Sequence, residues 1–219
     1  QVFNTAQDHK RVFDGDKGKN TGGMGAYSPS RLQSNNLEKK ILNKIIKPTL
    51  NYLKENKGIY VGFLYAGLMI KNDEPFLIEY NVRMGDPECQ TILPLLKNDF
   101  IEVLDNCVNG TLNKIKLNWK NKKSVCIVVT SKGYPDEFKK NILIKNLENF
   151  KNDESQYIFH AGTKLVNNKF YSNGGRVLNF VSLDQNFKLA RKNSLNLIKF
   201  LDWENAHYRM DIAYKVVDN

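Results

Sequence analysis

An α+β fold is predicted, with a helix-bearing first part and a smaller β-rich second part that closes on one helix. Three observations predict it. Apolar residues recur at helical spacing at Leu37, Ile41, Leu42, Ile45 and Ile46, and again at Ile92, Leu93, Leu95 and Leu96. Beyond Asn113 the apolar runs become short and are separated by Gly, Asn and Asp, as strands are. A last helical stripe then follows through Phe187, Ala190, Ser194, Leu197, Ile198 and Leu201.

In chain order, residues 1–30 read as strand and glycine-rich loop. Ser34 is a capping residue for the first helix, which Pro48 should end or kink before Leu50 and Leu53 continue its apolar face. Gly58 marks the stop. Two strands, 62–70 and 75–81, form a hairpin across Lys71-Asn72-Asp73-Glu74. Asp86 is placed to cap a helix with Pro87 in its first turn, and a further helix over 99–108 stops at Asn109-Gly110. The polar stretch 113–123 suggests a boundary, giving domains 1–115 and 116–219. Strands are expected at 124–130, 142–144, 157–160, 169–172 and 176–182, with Asp184 capping the final helix.

The 219 residues, 41% of them hydrophobic, suffice for one large or two modest domains. The chain opens on Gln1 with apolar Val2-Phe3, as a piece of a longer polypeptide would, and has no charged-then-apolar leader. The longest near-apolar run, 61–70, is too short to cross a bilayer, so no membrane partner is expected. Cys89, Cys107 and Cys126 are odd in number and lack metal-ligand spacing, which fits a reducing cytoplasm. A net charge of +10 raises the question of nucleic acid. The charge is mostly Lys scattered among Asn, its densest run being Lys120, Lys122 and Lys123, and no nucleic-acid-binding signature accompanies it. It reads as a solvated surface.

The chemistry concentrates in Ile78-Glu79-Tyr80-Asn81-Val82-Arg83-Met84-Gly85-Asp86-Pro87-Glu88. Side chains alternate along a strand, so Glu79, Asn81 and Arg83 project together. Two hard oxygens at that spacing suit Mg²⁺, and a neighbouring guanidinium suits a phosphate or carboxylate. A second cluster is Gln7-Asp8-His9-Lys10-Arg11 followed by Asn20-Thr21-Gly22-Gly23-Met24-Gly25. Gly22, Gly23 and Gly25 permit positive φ and close approach of backbone N–H groups to an anion, although the cluster alone reads more readily as a plain loop. Asp8 and Lys10 put opposite charges beside it, and His9 reads as structural.

These segments, with Gly62-Phe63-Leu64-Tyr65-Ala66-Gly67, Lys132-Gly133-Tyr134-Pro135, Phe159-His160-Ala161-Gly162-Thr163-Lys164, Asn173-Gly174-Gly175-Arg176-Val177-Leu178 and Tyr208-Arg209-Met210-Asp211-Ile212, resemble in colinear order the phosphoribosylamine–glycine ligase family. The resemblance implies an ATP-grasp large lobe, then a small β-rich C-terminal domain of barrel-sandwich type: the C-terminal half of a cytoplasmic ligase of purine synthesis. It implies ATP, glycine and 5-phosphoribosylamine as substrates, Mg²⁺ or Mn²⁺ as cofactor, a glycyl phosphate intermediate, and an N-terminal half without which this piece is inactive. Carried onto matching positions, Glu79 and Asn81 would hold the metal and Arg83 would grip the acyl phosphate as the catalytic residue. Asp86 and Asp8 would meet the glycine ammonium or the amine, with Lys10 beside them. By analogy Lys164 and Arg176 would hold the ribosyl 5-phosphate.

Two departures stand out. The strand before the Glu-x-Asn pair carries no acid where many ATP-grasp enzymes have a further metal ligand, and Met84 stands where the family more often has Phe. The rivals are another ATP-grasp carboxylate–amine ligase or carboxylase, and a basic nucleic-acid-binding module. The segments at 20–29 and 159–164 argue against a carboxylase.

Overall fold

The computed structural model describes residues 1–217. Its elements are β1 (Gln7–Asp8), β2 (Arg11–Phe13), β3 (Lys17–Asn20), β4 (Gly25–Ser28), α1 (Asn35–Ile41), α2 (Lys47–Asn56), β5 (Tyr65–Lys71), β6 (Glu74–Asn81), α3 (Glu88–Ile92) and α4 (Phe100–Val108). Then come β7 (Lys123–Ser131), β8 (Leu143–Ile144), β9 (Gln156–His160), β10 (Thr163–Val166), β11 (Lys169–Ser172), β12 (Arg176–Asp184), α5 (Phe187–Ile198), β13 (Ala206–His207) and α6 (Tyr214–Val217). The α+β class is observed. Among the described residues, no helix is long and apolar enough to cross a membrane.

Residues form two compact units, and neither follows a single cut in the chain. One holds 1–3, 30–85 and 96–118; the other holds 4–29, 86–95 and 119–219. The expected boundary at 115/116 divides the sequence, whereas the units group it differently. The physical reason is strand pairing: β4 hydrogen-bonds to β7, which draws the glycine-rich opening into the later sheet.

In the first unit the Ser34 hydroxyl accepts from the Leu37 N–H, the capping contact its sequence suggests. Pro48 neither ends the helix nor breaks it. A π-turn over Leu42–Ile46 joins α1 to α2, with Lys47 N–H reaching back to the Leu42 carbonyl, and Pro48 enters within the first turn of α2. A proline ring would otherwise press on the carbonyl four residues earlier, and the wider turn relieves this. The hairpin β5–β6 turns on Asn72 and Asp73 at φ 52° and 59°, a tight two-residue connection rather than four. Tyr80 points toward the helices, its hydroxyl 2.8 Å from Thr49 Oγ1. The other side of the hairpin is apolar and exposed: Met69, Phe76 and Ile78 keep 59%, 53% and 66% of their surface. Asp99 caps α4 through Ile101 N–H, as expected.

The second unit is built on an antiparallel sheet in the order β1-β4-β7-β12-β9, with β13 pairing the far end of β7. Both faces of β7 are covered. Val125, Ile127 and Val129 join Leu178, Phe180, Ala190, Leu197 and Ile198 in the larger core. Cys126 and Val128 pack with Leu95, Val181 and Leu183 on the opposite side. A smaller sheet, β10-β11-β8, includes β10, which the sequence reading omitted; its turn on Asn167 and Asn168 uses positive φ at both residues. Two expected caps are corrected. The α5 cap is Asn186, because β12 stays paired through Asp184 and the chain is not released until later. Asp86 does not cap α3, which starts at Glu88 with no side-chain cap.

Candidate functional site

The site residues fall into two groups, one in each unit. On β6, Glu79 and Asn81 share a face as the period of two requires, and Asn81 Nδ2 lies 3.3 Å from Glu79 Oε1. Gly67 on the paired strand makes room, since a Cβ there would come within 3.0 Å of the Glu79 Cγ. Arg83 is exposed just beyond the strand, and its Nη1 donates to the Met84 carbonyl at 2.8 Å. No set of three or more His, Cys, Asp or Glu residues gathers for a metal among the described residues. The exposed Glu79 carboxylate, with the Asn81 oxygen once its amide is turned over, would fit an ion that takes its remaining ligands from phosphates and water.

The second group surrounds Arg176, at the start of β12. Its Nη1 donates to the Asp86 carbonyl at 2.7 Å and the Gly22 carbonyl at 3.0 Å, and lies 3.1 Å from Asp86 Oδ1. Among the described residues Nε and Nη2 have no partner, so two coplanar donors remain for a ligand. Asp86, rather than capping a helix, accepts from Gln90 Nε2 and from this guanidinium.

Asp8 and Lys10, in and just after β1, form an ion pair in which the carboxylate is buried and the ammonium half exposed. Burial and the nearby Glu88 charge push the Asp8 carboxyl up to about 7, with Lys10 pulling the other way. Glu88 is itself buried, at 4% exposure, and the sequence reading assigned it no role. An acid directly after Gly-Asp-Pro was the available signal. Gly23, at φ +125°, lets the loop pass over the Asp8 carboxyl, since a Cβ would stand 2.8 Å from Asp8 Oδ1 and 2.5 Å from Pro87 Cδ.

The glycines therefore act differently from an open anion cradle. Gly22 N–H donates to the Tyr134 hydroxyl and Gly23 N–H to Thr21 Oγ1, while Gly25 lies in β4 with no room for a Cβ beside the Cys126 carbonyl. Lys164 is exposed on β10, opposite Tyr171, and contacts none of the other candidates. His9 is buried and structural: its Nε2 accepts from Ala213 N–H at 3.3 Å. Burial and the Arg209 charge lower it to about 4, so the ring is neutral.

Comparison with known proteins gives two family matches: phosphoribosylglycinamide synthetase, ATP-grasp (A) domain, over residues 1–89, and phosphoribosylglycinamide synthetase, C domain, over residues 124–215. The chain is 41% identical over 212 residues to phosphoribosylamine–glycine ligase of Fusobacterium nucleatum, covering 96% of this chain and 50% of that protein. It is 43% identical over 213 residues to the enzyme of the same name from Caldanaerobacter subterraneus, covering 95% and 49%. The crystal structure of phosphoribosylamine–glycine ligase from Thermotoga maritima aligns with TM-score 0.84 at 33% identity, over 96% of this chain and 51% of that one. The chain thus spans about half the length of the relatives it matches.

Proposed function

This chain belongs to the phosphoribosylglycinamide synthetase family, and on that premise we propose that it supplies the C-terminal half of an ATP-dependent ligase. The reaction joins glycine to 5-phosphoribosylamine, giving glycinamide ribonucleotide, ADP and phosphate through a glycyl phosphate. The observation that carries the reading is the adjacent Glu79 and Asn81 on one face of β6, with Arg83 just beyond.

Activating a carboxylate with ATP brings anions together, so catalysis depends on positioning and on offsetting charge. Glu79 Oε1 and the Asn81 side-chain oxygen would hold a divalent ion, Mg²⁺ or Mn²⁺. When bound, that ion would neutralise developing charge on the transferring phosphoryl group. Arg83 would exchange its Met84 carbonyl contact for the acyl phosphate. In the other group, Nε and Nη2 of Arg176 would take the ribosyl phosphate side-on, with Lys164 as a second, looser cation. Asp86 and Asp8 would bind the glycine ammonium or the amine, and Lys10 would face an anionic group of the substrate. The cysteines of the chain are free thiols, which supports a cytoplasmic enzyme.

The exposed apolar face of the β5–β6 hairpin, with Met69, Phe76 and Ile78 in water, supports a further contribution from the rest of the polypeptide. We therefore expect the 219-residue chain to be inactive alone. The test compares it with a polypeptide that also carries the upstream half of its relatives, measuring ADP release that requires both glycine and phosphoribosylamine. Release by the longer protein alone supports the reading. Robust release by the short chain, or a longer protein active only with other carboxylates, would overturn it.

A further inference from the structure

Tyr134 stands outside every role assigned above, yet the fold is shaped to deliver its hydroxyl to one atom. The phenol oxygen accepts the Gly22 N–H at 2.9 Å. The carbonyl of the same residue accepts from Arg176 Nη1 at 3.0 Å. Gly22 is thus held at both ends of its backbone, by a phenol on one side and a guanidinium on the other.

The delivery is built into the sequence. Tyr134 N–H donates to the Ser131 carbonyl at 3.1 Å, and Asp136 N–H to the Gly133 carbonyl at 2.9 Å, which folds 131–136 into consecutive turns. Gly133 sits at φ +105°, where a side chain would be strained and would collide with the Glu137 carbonyl. Gly175, next to Arg176, has no side chain where the Tyr134 ring lies; a Cβ there would overlap its Cδ2. Phe138 meets the ring edge-on at 6.5 Å between centroids. Two glycines and an aromatic neighbour thus leave the phenol one place to go.

We propose that Tyr134 is a positioning residue for the phosphate-bearing substrate. Its hydroxyl fixes the Gly22 peptide, and that peptide, with the Asp86 carbonyl, holds Arg176 through Nη1 so that Nε and Nη2 keep a fixed aim. Without the hydroxyl, the Gly22 peptide tilts and the guanidinium loses one of its carbonyl anchors. The ligand class is a ribose 5-phosphate monoester carrying an amine at C1. This inference rests on the reading that Arg176 binds that phosphate.

The experiment uses the full-length ligase and the variants Tyr134→Phe and Arg176→Lys, with steady-state kinetics for each substrate and ribose 5-phosphate as the competing probe. Tyr134→Phe keeps the ring and removes only the acceptor. The KM for phosphoribosylamine and the inhibition constant of ribose 5-phosphate should rise about three- to tenfold, the effect of one neutral hydrogen bond. The kcat and the KM for ATP should change less than about twofold, with an unaltered melting temperature. If Arg176→Lys weakens ribose 5-phosphate but Tyr134→Phe does not, the positioning role is overturned while the Arg176 assignment stands. Should neither variant weaken it, the Arg176 assignment itself falls. A Tyr134→Phe enzyme that melts early and loses all three substrates together would make the hydroxyl a folding contact, which also overturns the proposal.

Discussion

Arg209 and Asp211 meet in a two-pronged pair, Nε to Oδ1 at 2.7 Å and Nη2 to Oδ2 at 2.8 Å, with the Arg209 side chain fully enclosed. Asp16 takes the remaining Nη1 at 2.8 Å, and Asp211 Oδ2 accepts Gly15 N–H at 2.8 Å. Burial alone would raise the Asp211 carboxyl, but hydrogen bonds from Arg209 and Gly15 outweigh it and hold it at about 2. The knot ties the β2–β3 hairpin to the chain's last turns. Removing one partner of a buried pair strands the others, so Arg209→Met should cost about 3–5 kcal/mol of stability. Urea unfolding of the 219-residue chain measures it, and a loss below about 1 kcal/mol would show that the enclosed charge contributes little.

His9 and Asp8 give opposite pH dependences. His9 falls from 6.5 to about 4, so its stabilising contribution is present above pH 6.5 and is lost as pH drops toward 4. Asp8 rises from 3.8 to about 7, so its contribution is present below 3.8 and is lost as pH climbs toward 7. Over the shared window the slopes offset each other. Asp8→Asn should therefore leave stability climbing from about pH 4 to 6.5, and His9→Asn should leave it falling over the same range. Urea midpoints across that window decide; parallel profiles for both variants and the parent would contradict the assignment.

In a polypeptide that also carries the upstream half, Glu79→Gln or Asn81→Ala should raise the Mg²⁺ concentration needed for half-maximal rate and lower turnover, since each would remove a proposed hard oxygen ligand. Activity titrated against Mg²⁺ provides the check. Unchanged metal dependence in both variants would reduce this strand face to a structural one.

Arg176 and Arg83 should fail differently. Arg176→Ala would remove the proposed charge-assisted phosphate contact, worth about 1.5–3 kcal/mol, so the KM for phosphoribosylamine should rise about ten- to hundredfold, more than those for glycine or ATP. Arg83→Ala should depress kcat if, as proposed, its partner is charge that develops during phosphoryl and acyl transfer. Varying each substrate in turn separates the two, and an Arg176→Ala enzyme with unchanged phosphoribosylamine KM would remove that residue from the site.

Local rules carried part of this molecule. The shared face of Glu79 and Asn81 follows from strand alternation, the caps at Ser34 and Asp99 from short side chains that reach the next backbone amides, and the α5 stripe from helical period. The same local reasoning missed where strand pairing intervened. Asp184 has the side chain of a cap but stays paired in β12, and the Asn167-Asn168 turn conceals β10 because asparagine at positive φ resembles any polar loop in so asparagine-rich a chain.

What the sequence alone determined is therefore the identity and spacing of the chemical groups, because those depend on the repeat of the backbone over a few residues. What only the tertiary structure decided is which groups meet. Arg176 reaches Asp86 across 90 positions and Tyr134 reaches Gly22 across 112. Glu88 becomes a buried acid that acts on Asp8 from 80 residues away along the chain. Such encounters depend on the order β1-β4-β7-β12, which puts the glycine-rich opening against β7, one strand away from β12. That order is set by which apolar faces bury each other, a property of the whole sheet that no short window of residues carries.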